Sequence, residues 1–115
     1  MSRDEGGTGL MTSKHNNPVL AAICALVEDR CLVVVHREIP WCSLTFKGSR
    51  HEIELQFIGD EDIAMGETLI AMLPEHEFSI GRKVVVDASV RWTEMRSHPT
   101  HVLGAKIELL VLDDD

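Results

Sequence analysis

Six histidines and several carboxylates are the residues with which this chain could bind a metal or perform acid–base chemistry. His98 and His101 stand three positions apart, and His51 has Glu54 close by. No histidine pair has the HExxH spacing and no Cys/His quartet has zinc-finger spacing, so histidines at surface turns are the expected explanation. We predict no metal and no cofactor. The alternative is a metal or small-molecule site using His51, Glu54, Asp87, His98 or His101.

Acidic residues in predicted strands raise the question of hydrolytic chemistry. Asp87 has Arg91 and Lys106 as possible partners, and a structural ion pair explains that pattern without a general base. Glu52 and Glu54 would lie about 7 Å apart on one strand face, a spacing that paired-carboxylate enzymes use and that a polar sheet face also produces. The chain has no GxSxG motif and no glycine-rich phosphate loop after a strand. These patterns favour a non-catalytic protein and leave an enzyme as the alternative.

The composition excludes several partners. The 115 residues carry a net charge of -8, and the eleven basic residues are scattered, so nucleic acids and anionic membrane surfaces are disfavoured. No apolar run approaches the roughly 18 residues needed to span a bilayer. The three cysteines contain no CxxC motif, which indicates reduced, buried side chains. Cytoplasmic location is the expectation.

The chain divides into three parts. Residues 1–15 are rich in Gly, Ser, Thr and charge, which predicts a disordered N-terminal arm, and Met11 within it is an alternative translation start. Residues 16–112 form a single domain with one core. Residues 113–115 are three aspartates, which predict a solvated acidic tail.

Two helices are expected. Asn17 and Pro18 make a strong helix start, since Asn caps helices and Pro is favoured at the first helical position. The apolar residues from 19 to 29 gather on one side of a helical wheel. Asp60 is the predicted cap of a second helix, which Pro74 ends.

The remaining elements are predicted strands. Residues 31–37 and 41–47 have strand character and are either two strands or one strand bent near Pro40. A turn over residues 47–50 would lead into a strand at 52–57, and further strands are expected at 83–92 and 101–112. The fold class is α+β: a two-layer sandwich with a mainly antiparallel sheet of four or five strands and both helices on one face.

Alternation assigns side chains to the two faces of this sheet. The predicted core-facing residues are Cys42, Leu44, Phe46, Ile53, Leu55, Phe57, Val84, Val86, Ala88, Val90 and Trp92. The opposite face is polar, with an apolar margin of Val85, Val102, Leu110 and Leu112. Trp41 shares the parity of the polar positions, which makes it either a recognition anchor or a side chain covered by the N-terminal arm. The margin and Trp41 predict a homodimer or a protein partner on this face.

Three segments carry a resemblance to a known family. They are residues 40–52 (PWCSLTFKGSRHE), 73–78 (LPEHEF) and 85–88 (VVDA). With them the chain resembles small uncharacterised bacterial α+β proteins over residues 38–112. The resemblance implies a bacterial, cytosolic origin and brings no activity with it. The sequence therefore predicts a non-catalytic interaction or self-association module, and the alternative is a small enzyme or ligand-binding protein with a pocket between helix and sheet.

Overall fold

The computed structural model describes residues 17–113, so the predicted arm at 1–15 and the last two residues of the predicted tail lie outside the described residues. The four strands pair antiparallel throughout, in the order β1-β2-β4-β3. In chain order the elements are α1 (Pro18–Leu26), β1 (Leu32–Cys42), β2 (Lys47–Ile58), α2 (Asp60–Met72), a short 3-10 turn (Leu73–Glu75), β3 (Lys83–Arg96) and β4 (Val102–Asp113). The α+β fold class is confirmed, with four strands and two helices between residues 17 and 113.

The start of α1 agrees with the prediction, and its end does not. The Asn17 side chain accepts hydrogen bonds from the backbone N–H groups of Val19 and Leu20 at 2.8 and 3.2 Å, which satisfies two donors of the first turn. The helix ends at Leu26, three residues before the predicted end, because Glu28 and Asp29 take positive φ values of 54° and 60°. That left-handed backbone cannot continue a right-handed helix.

The second helix begins where it was predicted but is capped differently. Gly59 occupies the N-cap position and makes no side-chain cap bond, so Asp60 is the first helical residue rather than the cap. Asp60, Glu61 and Asp62 all lie in the first turn, where negative charge complements the positive end of the helix dipole.

The core lies on one face of the sheet. Buried and half-buried residues alternate along β2 and β4, and the buried sets are Ile53, Leu55 and Phe57 on β2 and Leu103, Ala105, Ile107, Leu109 and Val111 on β4. Val19 and Ile23 of α1 and Ile63 and Leu69 of α2 join the same cluster. Both helices therefore bury their apolar sides against this one face, and apolar burial of this kind is the main stabilising term.

The first hairpin turns earlier than the sequence predicted. The turn consists of Ser43, Leu44, Thr45 and Phe46, and residues 47–50 belong to β2. Cys42, Leu44 and Phe46 are consequently exposed instead of facing the core. The earlier turn gives β2 twelve residues, of which eleven pair with β4, so a long central strand has its backbone groups satisfied on both sides.

The open question about residues 31–47 is answered by β1. It is one strand, with a bulge between Val33 and Val35, and it pairs with β2 through Pro40 as far as Cys42. Proline is tolerated there because β1 is an edge strand, whose outer side needs no ladder donor.

Strand β3 departs from strict alternation at two bulges, between Val85 and Asp87 and between Val90 and Trp92. Each bulge adds a residue and shifts the parity of the residues after it. Val84 lies before both bulges and pairs with Leu112 on the outer face, Val86 lies within the first bulge, and Trp92 follows the second. All three were predicted to face the core and are exposed instead. Trp92 does not close the core as predicted, because its side chain is 42% exposed on the other side of the sheet.

Candidate interaction face

Among residues 17–113, no helix covers one of the two faces of the sheet, which we call the open face. The strand register identifies the residues of the open face, because residues that pair across neighbouring strands point to the same side of the sheet. Its residues are Leu32, Val35, Arg37, Ile39 and Trp41 of β1; Gly48, Arg50, Glu52, Glu54, Gln56 and Ile58 of β2; Val102, Gly104, Lys106, Glu108, Leu110 and Leu112 of β4; and Val84, Asp87, Ser89, Trp92, Glu94 and Arg96 of β3.

One end of the open face is apolar. We call Ile39, Trp41, Val84, Leu110 and Leu112 the Trp41 patch. The register sets Trp41, Gly48, Leu112 and Val84 in one row across the four strands, and Ile39, Arg50 and Leu110 in the next. Because Gly48 has no side chain, Leu112 can lie over it, and Leu112 Cδ2 is 3.1 Å from where a Cβ of Gly48 would be. Beside this row, Ile39, Trp41, Arg50 and Leu110 line a depression of about 260 Å³.

Trp41 is half-buried in this patch, and its indole nitrogen is enclosed. The Nε1–H group has no hydrogen-bond acceptor among residues 17–113. A buried donor that finds no acceptor costs about 1–3 kcal/mol.

The β1–β2 turn extends the Trp41 patch beyond the sheet. Leu44 is fully exposed and Phe46 is about half exposed. The turn is nevertheless held closed, because Ser43 N–H donates to the Phe46 carbonyl at 2.8 Å and Phe46 N–H donates to Ser43 Oγ at 3.1 Å. Two large apolar side chains are thus presented on a fixed turn directly after Trp41 and Cys42.

The middle of the open face is charged, with Glu52 at its centre. Its carboxylate lies 3.0 Å from Arg37, 3.8 Å from Arg50 and 3.8 Å from Lys106. Since the Glu52 side chain is only 13% exposed, this carboxylate is better shielded from water than an ordinary surface ion pair. The network separates the Trp41 patch from the far end of the face.

At that far end, Trp92 and Val102 stand on either side of Gly104. The indole ring lies over Gly104, where an added Cβ would stand 3.7 Å from Trp92 Cζ3. Val34, Glu94, Arg96 and Val102 line the same small depression. Val102 is thus on the open face, but at the opposite end from Trp41.

Four of the five predicted interaction residues lie on the open face: Trp41, Val102, Leu110 and Leu112. The prediction for Val85 is wrong. Val85 pairs with the buried Val111 and packs against the core, because the first bulge of β3 comes after it. Its neighbour Val84 takes the position on the open face. The binding role of these residues remains a prediction.

The alternative ligand residues are not brought together. Glu54 and Asp87 are on the open face, whereas His51 is 2% exposed on the helix side of the sheet. His98 lies in the loop before β4, and His101 Nδ1 is 3.1 Å from Asp60 Oδ1 at the start of α2. Lys106, a predicted partner of Asp87, instead approaches Glu52. Within residues 17–113, no group of three or more His, Cys, Asp or Glu side chains could hold a metal ion.

The histidine that matters structurally is His51, and its partner is His36. The two rings stack at 5.3 Å with an interplanar angle of 15°, and His36 Nε2 lies 3.0 Å from His51 Nδ1. Such an N–H···N bond exists only while the accepting ring is neutral. His51 Nε2 is 3.9 Å from Glu38, which also accepts hydrogen bonds from Ser49 Oγ at 3.0 Å and Asn17 Nδ2 at 3.3 Å. The pair is therefore connected to the residue that caps α1.

Burial lowers the pKa of His51 below the value of 6.5 for a free histidine, against the opposing charge of Glu38 and with further lowering by His36 and Lys83. The unfolded chain then takes up a proton at His51 before the folded chain does. We predict that the free energy of unfolding is constant above about pH 7 and falls as the pH drops through 6.5 toward the lowered pKa. Urea unfolding between pH 5.5 and pH 7.5 measures this (about 1.4 kcal/mol per pKa unit).

The matched variants for this prediction are His51→Gln and His98→Gln. The first removes the titrating ring and should flatten the pH dependence of stability. The second changes an exposed loop histidine and should keep the wild-type slope. An unchanged slope in His51→Gln would show that other groups cause the acid sensitivity.

The three cysteines occupy three environments. Cys24 is buried, and Cys31, half-buried, brings its Sγ within 3.8 Å of Cys24 Sγ. Cys42 is exposed at the end of β1, contrary to the prediction that all three are buried. The cause is again the position of the turn, which places Cys42 at the open end of the hairpin.

Sequence patterns missed the His36–His51 pair and the exposed turn for one reason. Observed partners of β1 and β2 include Glu38 with His51 and Trp41 with Gly48, which centres the hairpin on residues 44 and 45. The predicted turn at 47–50 would have separated the two histidines. The serine hydroxyl of Ser43, which favours local turn bonds, was the available signal for the earlier turn.

Comparisons with known proteins identify a similar fold. No protein-family model matches the chain, and no curated protein is similar to it in sequence. Among solved structures, a chain described as "Virion of native gene transfer agent (GTA) particle" is similar, with a TM-score of 0.59 and 13% identity over 80% of this chain and 85% of that chain. At that identity the likeness shows the fold alone. None of the helices between residues 17 and 113 is long and apolar enough to cross a membrane.

Proposed function

We propose that this protein is a non-catalytic structural subunit that assembles with other protein chains through the open face, beginning with a second copy of itself. The observation that carries the proposal is the Trp41 patch on the open face, which is followed along the chain by the exposed Leu44 and Phe46. Exposed apolar patches mark association sites, and tryptophan is enriched at their centres.

The edges of the sheet support association through the face. Both edge strands, β1 and β3, carry bulges, and β1 also contains Pro40. Bulges and proline oppose edge-to-edge pairing of strands. A partner is thereby directed to the open face, where packing of side chains decides specificity.

A second copy suits this surface because the patch and the turn are neighbours. Around a two-fold axis close to Trp41, the Leu44 and Phe46 side chains of each copy would cover the depression at Ile39, Trp41 and Leu110 of the other. Such a contact is self-complementary and closes at two chains. The virion chain with the similar fold belongs to an assembled particle, which supports a structural role but identifies no partner.

Replacing Leu110 with glutamate tests this proposal. A carboxylate in the middle of an apolar contact loses its hydration without gaining a partner, so we expect association to weaken by about a hundredfold. Sedimentation equilibrium should give wild-type protein at least twice the 12.8 kDa of one chain at micromolar concentrations, and the variant close to 12.8 kDa.

Ala71→Glu is the control, because Ala71 is exposed on α2, in the helix layer, and the substitution adds the same charge away from the open face. It should associate as the wild type does. A wild-type protein that stays monomeric throughout the micromolar range would rule out self-association, and equal weakening in both variants would rule out the open face.

A further inference from the structure

A cleft of about 420 Å³ lies at the end of the sheet near the start of α1, on the side away from the Trp92 depression. Four elements meet there: the start of α1, the start of β2, the loop into β3 and the end of β4. The lining residues are Pro18, Lys47, Ile80, Gly81, Arg82, Lys83 and Asp113. This volume is within the range of small-molecule sites, about 300–1,000 Å³.

The cleft concentrates positive charge in an acidic protein. Three of the eleven basic residues line it, against one of the nineteen acidic residues. Asp113 Oδ1 accepts a hydrogen bond from Lys83 Nζ at 2.9 Å, so one of the three cations already has an anionic partner. Lys47 and Arg82 form no ion pair or hydrogen bond with any residue between 17 and 113. Two cations that have no ion-pair partner in the described part of the chain therefore line one opening.

The floor of the cleft and its loop are suited to hold a ligand. Pro18 and the buried Ile80 give it apolar surface. The loop is fixed by a hydrogen bond of 2.9 Å from Lys83 N–H to the Ile80 carbonyl. Gly81 has a φ of 54°, a left-handed conformation that other residues rarely adopt, and no atom lies within 4 Å of where its Cβ would be. The backbone beside Arg82 is thus open to an approaching group.

From this arrangement we infer that the cleft binds a small molecule bearing a phosphate monoester. A phosphate monoester carries close to two negative charges at neutral pH, which matches the two unpaired cations. Arginine offers a planar fork for two phosphate oxygens and lysine a point charge beside it. Pro18 and Ile80 receive the uncharged part of the ligand. A nucleic acid does not fit, because duplex binding neutralises about 6–10 phosphates and the chain as a whole is acidic.

Calorimetric titration of the full chain with phenyl phosphate at low ionic strength tests the inference. Phenyl phosphate should bind, and inorganic phosphate should bind more weakly because it leaves the apolar floor unused. Each of Lys47→Gln and Arg82→Gln removes one charge-assisted contact and should raise the Kd about tenfold. Arg91→Gln, an exposed arginine of β3 outside the cleft, should leave the Kd unchanged.

Three results would overturn the inference. The first is no heat of binding with the full chain, and the second is an equal loss of affinity in Arg91→Gln, which indicates unspecific attraction. The third is binding that occurs only when Asp114 and Asp115 are both replaced by asparagine. That result would mean that these two aspartates, and not a phosphate monoester, are the natural occupants of the cleft. The titration does not depend on self-association, because Leu110→Glu should bind phenyl phosphate with the wild-type Kd.

Discussion

Gly66→Val is expected to lower the free energy of unfolding by about 3 kcal/mol or more, a large fraction of the total of about 5–15 kcal/mol that is typical of a single domain. Gly66 is the point where α2 meets the sheet. A Cβ at this position would stand 2.5 Å from Cδ2 and 2.7 Å from Cγ of Phe57. Phe57 is fully buried, so its ring has no free space into which to move. Thermal or urea unfolding measures the loss.

Ala64→Val is the control for this prediction, because Ala64 is exposed on the same helix. It introduces the same side chain and should cost less than about 1 kcal/mol, the difference in helix propensity alone. Replacing Phe57 by leucine removes the ring and gives a second check. Gly66→Ala should lower the free energy of unfolding less in the Phe57→Leu background than in the wild type, since neighbouring substitutions couple. Equal effects in the two backgrounds would contradict a steric cause.

Gly48→Ala is expected to destabilise the protein by about 3 kcal/mol and to weaken its self-association as well. An added Cβ would lie only 3.1 Å from Leu112 Cδ2 and would also meet the carbonyl oxygen of Val111, a backbone atom that cannot move without shifting β4. Leu112 belongs to the Trp41 patch and lies over Gly48. The substitution therefore disturbs both the β2–β4 ladder and the proposed contact surface.

Gly104→Ala is the matched control for Gly48→Ala. Gly104 is also a glycine within a strand of the sheet, on β4. A Cβ added there would meet no atom closer than Trp92 Cζ3 at 3.7 Å, which is an ordinary van der Waals contact. Alanine loses less backbone conformational entropy on folding than glycine does. This variant should therefore be as stable as the wild type or slightly more stable. Denaturant unfolding and sedimentation of the two variants, measured in parallel, separate these outcomes. A Gly48→Ala protein of wild-type stability would show that β4 can shift freely.

The His36–His51 pair and the cleft at Lys47 and Arg82 are expected to respond to pH in different ways. The His36–His51 pair is enclosed on the helix side and reports on folding, since its protonation opposes the neutral N–H···N bond. The cleft at Lys47 and Arg82 is open to solvent and is the proposed ligand site. A pH titration of phenyl phosphate binding that tracks the ligand's own second ionisation, near pH 6, is the behaviour expected of the cleft.

Much of the fold was predictable from local pattern. Asn17 together with Pro18 specified the start of α1, and the acidic turn at Asp60 specified the start of α2, because capping depends on a few neighbouring residues. Unbroken alternation assigned the core face of β2 correctly and placed Val102, Leu110 and Leu112 of β4 on the opposite face, within an α+β class predicted with four or five strands. The positions of Trp41, Leu110 and Leu112 on the helix-free face were predicted for the same reason.

The elements and the faces of the two central strands were therefore determined by the sequence itself. Only the tertiary structure decided the turn at 43–46, the bulges of β3, the outward direction of Trp92, the contact of His36 with His51, and the place of Lys47 and Arg82 in the lining of one cleft. The physical reason is that a bulge or a shifted turn changes parity by one residue and sends every later side chain of the strand to the other face. That choice depends on which backbone groups a neighbouring strand can satisfy, and the neighbour is distant in sequence.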